Sequence, residues 1–262
     1  MKPIRMASAA VALLLALTAC GTTRAAEPDA ATGTGTGTGG GTVTVFAAAS
    51  LTGVFTQLGK DFEAAYPGTR VRFNFGSSAT LAQQIVQGAP ADVFAAASPA
   101  TMRTVTDASL ADAPVTFARN RLQIAFPKGN PARVDGLKDL TDPKVKVALC
   151  AVQVPCGAAA VKALDAAGLK ITPVTFEQDV KATLTKVELG EVDAALVYRT
   201  DVLAAAGKVQ GLDFPESGKA VNDYPIAKLS KAPSGEPAGR FVELVLSPKG
   251  RALLTGAGFE LP

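Results

Sequence analysis

Val43-Thr44-Val45-Phe46-Ala47-Ala48-Ala49-Ser50-Leu51-Thr52 is the stretch that decides the fold class. Val43, Val45 and Phe46 give a strand its apolar bulk, and a run of small residues follows, ending on Ser50. Leu51, Val54, Phe55 and Leu58 then recur at spacings of three and four, the pattern of an amphipathic helix. A hydroxyl therefore sits where a buried strand ends and a helix begins. That place offers free backbone N–H groups and the positive end of a helix dipole, so it suits an anion. Two readings of Ser50 stand: an N-cap, the commonest use of Ser there, or an anion ligand.

The arrangement recurs downstream. Val71-Arg72-Phe73-Asn74-Phe75 alternates as a strand, Gly76-Ser77-Ser78-Ala79-Thr80 follows, and Leu81, Ile85 and Val86 open a helical pattern. Gly76 permits a close backbone approach. Consecutive βα junctions of one parallel sheet face the same crevice, so two hydroxyl-bearing helix starts can hold one small oxyanion. Strand-like and helix-like segments keep alternating. Asp92 to Ala96, Leu122 to Phe126, Lys146 to Cys150, Asp193 to Tyr198 and Tyr224 to Leu229 read as strands. Ala158 to Ala167 (stopped by Gly168), Val180 to Glu188, Pro237 to Leu246 and Pro248 to Thr255 read as helices. Repeated βα units imply an α/β fold with mainly parallel sheets.

The 262 residues suffice for two modest domains or one large one, and 48% hydrophobic against 19% charged content supports a substantial core. The net charge of +3 includes Lys2 and Arg5, leaving the remainder near neutral with no basic run, which argues against a nucleic-acid surface. The chain has no His, so the usual general base and the commonest metal ligand are missing.

Lys2 and Arg5 followed by Val11-Ala12-Leu13-Leu14-Leu15-Ala16-Leu17 read as an export signal too short to span a bilayer. Leu17-Thr18-Ala19-Cys20-Gly21 resembles a bacterial lipobox, in which cleavage leaves Cys20 as a lipid-modified N-terminus. The alternative is an ordinary secretory signal ending near a Cys. Thr32 to Gly41 is a Gly/Thr repeat, and a chain of about 22 such residues spans roughly 25 Å, enough for a spacer between anchor and domain.

Cys150 and Cys156 remain. In an exported chain a disulfide is the leading reading. A zinc site would need four ligands where two thiols and no His are present, and a catalytic thiol would need a base.

Four blocks resemble the periplasmic substrate-binding proteins of bacterial molybdate ABC transporters. They are Val45 to Thr52; Phe75 to Ile85 with Gly88-Ala89-Pro90-Ala91-Asp92-Val93-Phe94; Val154-Pro155-Cys156-Gly157; and Asp179-Val180-Lys181 followed by Ala195-Leu196-Val197-Tyr198. The resemblance covers residues 43–262 and implies a two-lobed α/β fold of the periplasmic-binding-protein type (type II), with the ligand cleft between lobes. By analogy, 1–19 is a lipoprotein signal peptide and 20–42 the lipidated Cys with its linker. Lobe one is then 43–119 plus 225–262, and lobe two is 120–224. The resemblance implies hydroxyl and backbone contacts from Ser50 and Ser78, backbone N–H contacts from Cys156 and Val180, and a phenol contact from Tyr198. Cys156 departs from the Ala that the family often has there. The implied ligand is molybdate, with tungstate, held without a cofactor. The implied partners are the permease and ATPase of an ABC importer, reached from the outer face of the cell membrane by a lipid-anchored monomer.

The bland readings stand beside these. Tyr198 alone suits a strand-end aromatic packed on a helix, Val180 alone a core position, and Arg199 a surface residue rather than a counter-charge. A donor-only site disfavours protonated anions, whose O–H would lack an acceptor at a cost of about 1–3 kcal/mol. Sulfate is the alternative ligand. An exported hydrolase using Ser50 or Ser78 would need a base, and neither His nor a Ser-x-x-Lys pattern supplies one. A sensor domain would need an output module, and none is visible. The expectation is a binding protein and not an enzyme.

Overall fold

The computed structural model describes residues 41–262, so the signal segment, Cys20 and the Gly/Thr repeat through residue 40 lie outside the described residues. The chain runs β1 (Thr42–Ala48), α1 (Thr52–Ala65), β2 (Arg70–Gly76), α2 (Ser78–Val86), β3 (Val93–Ala95), α3 (Pro99–Thr106) and β4 (Val115–Asn120). Then come β5 (Leu122–Pro127), β6 (Val147–Cys150), α4 (Pro155–Ala167), β7 (Thr175–Glu177), α5 (Val180–Glu188), β8 (Ala194–Tyr198), α6 (Arg199–Ala204) and β9 (Val209–Leu212). It closes with β10 (Asn222–Lys228), α7 (Gly235–Leu246) and α8 (Pro248–Gly256).

Two five-stranded sheets form, ordered β2-β1-β3-β10-β4 and β7-β6-β8-β5-β9. Each is the centre of one lobe. The sheets are mixed, which corrects the expectation of mainly parallel ones. β1 pairs parallel with β2 and β3, and β6 pairs parallel with β7 and β8. β10 runs antiparallel to β3 and β4, and β5 antiparallel to β8 and β9. The cause is the double crossing between lobes. β4 passes into β5 through Arg121 alone, and β10 runs back beside β4 in the opposite sense. The whole second lobe lies between β4 and β10 in the chain, so β10 re-enters the first sheet from the other lobe rather than by a βαβ crossover.

The first sheet is covered on both faces. Val43, Val45 and Ala47 of β1 pack with Phe55, Phe62 and Phe241 of α1 and α7, while Phe46 packs with Leu81, Ile85 and Met102 of α2 and α3. That is period-two alternation with both sides apolar, so β1 reads as continuous hydrophobic sequence. In the second lobe, Ala159 and Ala163 of α4 and Leu184 and Val187 of α5 cover Leu122, Ile124 and Leu196. Ala49 of the first lobe belongs to this second cluster, so the lobes are in apolar contact. β4, β7, β9 and α6 carry no clear sequence signal: β7 is three residues long with Phe176 57% exposed, and β9 is interrupted by Gly211.

Candidate functional site

The N-termini of helices converge between the lobes because the strands that precede them end at one edge. β1 stops at Ala48, and a tight turn, Ala49–Leu51, puts Ser50 ahead of α1. β2, in parallel register with β1, stops at Gly76 beside Ala48, and α2 starts at Ser78. From the second lobe, α4 starts at Pro155 and α5 at Val180, while Tyr198 ends β8. Ser50, Ser78, Cys156, Val180 and Tyr198 all line one cavity of about 20 Å³, together with Ser77, Ala97 and Asp179. A cavity of that size admits a particle of water-like to small-ion dimensions, since one water needs roughly 10–15 Å³.

Two hydroxyls of this cavity, those of Ser78 and Tyr198, accept from the protein and keep their own protons to give. Ser78 Oγ is 1% exposed and accepts from the Ala97 N–H at 2.9 Å, which leaves the Ser78 proton free. Tyr198 OH accepts from Asn222 Nδ2 at 2.9 Å. Ser50 Oγ lies 2.9 Å from the hydroxyl of Tyr224. Neither serine caps a helix. The residue before α1 is Leu51, the one before α2 is Ser77, and neither makes a side-chain cap bond. The N-cap reading of Ser50 therefore fails, because the intervening turn carries its hydroxyl away from the α1 amides.

Backbone donors complete the set. Pro155 opens α4 without an N–H and no side chain caps that helix, so the Cys156 N–H has neither an intrahelical nor a side-chain acceptor. In α5 the Asp179 carboxylate takes the N–H groups of Lys181 and Ala182, both at 2.9 Å, and leaves that of Val180. Asp179 is thereby turned onto its own helix, although it borders the cavity. No Lys or Arg lines the cavity, and Arg199 is exposed at the start of α6. Positive potential comes instead from helix ends, each equivalent to roughly half an elementary charge. Burial pushes the Tyr198 phenol well above its ordinary range, helped by its neighbours Tyr224 and Asp201, so it stays a protonated donor. Behind it, the fully buried Asp201 carboxyl is raised by desolvation and held partly in check by Lys181, whose Nζ is 3.0 Å away.

The Cys156 loop is built tightly. Cys150, the end of β6, is disulfide-bonded to Cys156. Gly157 lies so close to the preceding turn that an added Cβ would meet the Ala151 carbonyl oxygen at 1.9 Å. The pair therefore ties the start of α4 to the end of β6.

Sequence reasoning missed several residues. Ser77 Oγ lines the cavity, is buried and has no hydrogen-bond partner. The signal for it was the doubled serine of Gly76-Ser77-Ser78, of which only the second was singled out. Tyr224, Asn120 and Asn222 also reach the site, from the strands that join the lobes. Ser50 and Tyr224 are separated by 174 positions, so no local pattern could have paired them.

Residues 43–260 match the family described as bacterial extracellular solute-binding protein. The "Molybdate-binding protein ModA" of Mycobacterium tuberculosis is 41% identical over 251 residues, 95% of each chain. A solved structure described as the substrate binding domain of a putative molybdenum ABC transporter from Clostridium difficile matches with a TM-score of 0.62 and 26% identity, covering 85% of this chain and 99% of that one. The Azotobacter vinelandii periplasmic molybdate-binding protein matches with a TM-score of 0.73 and 24% identity, covering 84% and 99%, and supports the fold alone.

Proposed function

We propose, from the premise that this chain belongs to the bacterial extracellular solute-binding protein family, that it captures molybdate, and tungstate with it, for delivery to the permease and ATPase of an ABC importer. The observation that carries this reading is the set of donors left without an acceptor around the cavity, whose one lining carboxylate, Asp179, is bonded to the amides of its own helix. Ser78 and Tyr198 each receive a hydrogen bond from the protein and keep their own proton. The N–H groups of Cys156 and Val180 have no acceptor of their own. A molybdate dianion has only acceptor oxygens, and charge-assisted hydrogen bonds to it are roughly twice as strong as neutral ones. Ser50, Ser78, Cys156, Val180 and Tyr198 are its ligands in this reading, and no cofactor takes part.

Sulfate is the nearest competitor, because it too is a fully deprotonated tetrahedral dianion, but it is smaller and reaches fewer donors. A hydrolase reading finds no support in the neighbours of the serines, which are a phenol at Ser50 and a backbone N–H at Ser78. In the same reading the chain is exported and anchored by lipid at Cys20 on the outer face of the membrane, supported by the lipobox-like Leu17-Thr18-Ala19-Cys20-Gly21, and it works as a monomer. Labelling with a radioactive fatty acid tags the wild type and not Cys20→Ala in this account, and equal label on both would remove the anchor.

Thermal unfolding with a panel of oxyanions tests the ligand. A ligand at a hundredfold excess over its Kd stabilises by about 2.7 kcal/mol. Molybdate and tungstate are expected to raise Tm, sulfate less and phosphate least. A phosphate shift as large as that of molybdate would overturn the reading.

A further inference from the structure

The strands that join the lobes carry polar side chains that touch the cavity hydroxyls from behind. Asn222, the first residue of β10, donates from Nδ2 both to the Ala97 carbonyl at 2.7 Å and to Tyr198 OH at 2.9 Å. A carbonyl can only accept, so the Ala97 contact fixes which end of the amide faces the cavity. Asn120, the last residue of β4, has its Oδ1 committed to the Arg121 N–H at 3.0 Å. Its Nδ2 faces Thr200 Oγ1 at 2.8 Å and, at a longer 3.5 Å, Tyr224 OH. Tyr224 is fully buried, so its own proton needs an acceptor. Asn120 presents a donor, so of the two directions open to the 2.9 Å contact between Tyr224 OH and Ser50 Oγ, the one with Ser50 as acceptor leaves no buried proton orphaned.

The proton order that results runs one way. Asn120 donates to Tyr224, Tyr224 to Ser50, and Ser50 into the cavity; Asn222 donates to Tyr198, and Tyr198 into the cavity. We infer that Tyr224 and Asn222 are positioning residues that fix the proton direction at Ser50 and Tyr198, and so make this cavity discriminate against oxyanions that carry a proton. The inference rests on the oxyanion-binding reading above and adds to it the source of selectivity. A free hydroxyl can turn and accept, and would then satisfy the O–H of hydrogen phosphate. A phenol whose in-plane acceptor position is already filled by a buried donor, as in Tyr198, turns its proton against that donor if it flips; at Ser50 the buried donor occupies one of the two lone pairs that a ligand O–H could use. The ligand-facing protons are therefore ordered before any ligand arrives.

The test measures molybdate and hydrogen phosphate affinity at mildly alkaline pH for the full chain and for Tyr224→Phe and Asn222→Leu. Tyr224→Phe removes a single oxygen and keeps the ring that packs edge-on against Tyr198 at 6.1 Å, so it is the variant least exposed to a folding defect. Releasing one ordered hydrogen bond is expected to lower molybdate affinity and raise hydrogen phosphate affinity, so that their ratio falls about tenfold. A merely structural role would lower both affinities in parallel, or lower Tm with the ratio unchanged, and either result would overturn the inference. If the wild type binds molybdate and the ratio does not move, the inference fails and the functional reading stands. If the wild type does not bind molybdate, both fail.

Discussion

Replacing Ser78 by Ala separates a ligand from a structural residue, because its oxygen has two separable duties. It accepts from the Ala97 N–H at 2.9 Å in a position 1% exposed, and it offers its proton to the cavity. Without it the Ala97 N–H becomes a buried orphan, which costs about 1–3 kcal/mol of stability. The anion loses one charge-assisted hydrogen bond, worth roughly 1.5–3 kcal/mol, so its affinity is expected to fall about 10- to 150-fold. Ser50→Ala is expected to cost similar affinity, and stability as well, since Tyr224 O–H would lose its acceptor while Asn120, at 3.5 Å, offers only a donor. Denaturant unfolding without ligand and calorimetric titration with molybdate, on the same preparations, give the two numbers. Lost stability with unchanged affinity per folded molecule at both positions would make the serines structural and refute the site.

Further outcomes follow from the surroundings. Lys181→Met strips the counter-ion from Asp201 and is expected to destabilise by about 3 kcal/mol, the low end for a buried pair because the Lys181 side chain is 37% exposed. The Asp201 carboxyl is raised above its unfolded value, so the folded state favours its neutral form and its penalty is relieved as pH falls through the folded pKa. The loss caused by Lys181→Met should therefore shrink on acidification, and a pH-independent loss in urea titrations would contradict this. Replacing Cys150 and Cys156 together by Ser opens a loop of six-residue separation, with an expected loss of about 2 kcal/mol and weaker molybdate binding; affinity equal to wild type would detach that loop from the site. Gly157→Ala drives a methyl into the Ala151 carbonyl, an overpacking cost of about 1–3 kcal/mol that should displace the Cys156 N–H and lower affinity with it.

The parts of this molecule legible in the sequence are those written locally. β1 with its following small residues, the helix that opens at Val180 and the left-handed Gly168 that ends α4 are each specified within a few residues. The junction serines were legible for the same reason, but their roles were not. Whether Ser50 caps a helix depends on the Ala49–Leu51 turn, and its partner Tyr224 arrives from the far end of the chain. Sheet direction was misread because it depends on how the chain crosses between lobes, and β4 and β5 meet at Arg121 without a turn signal. The polar scaffold of Asn120, Asn222 and Tyr224 was invisible because single polar residues on strands have no spacing to betray them.

Calorimetric titration of the full-length chain with molybdate and, separately, with hydrogen phosphate tests the central claim most directly, which is that a cavity between the lobes presenting hydrogen-bond donors selects a fully deprotonated oxyanion. The account predicts one molybdate bound per chain with tight affinity and hydrogen phosphate binding far weaker. Equal heats and affinities for the two anions, or no heat with molybdate, would contradict it.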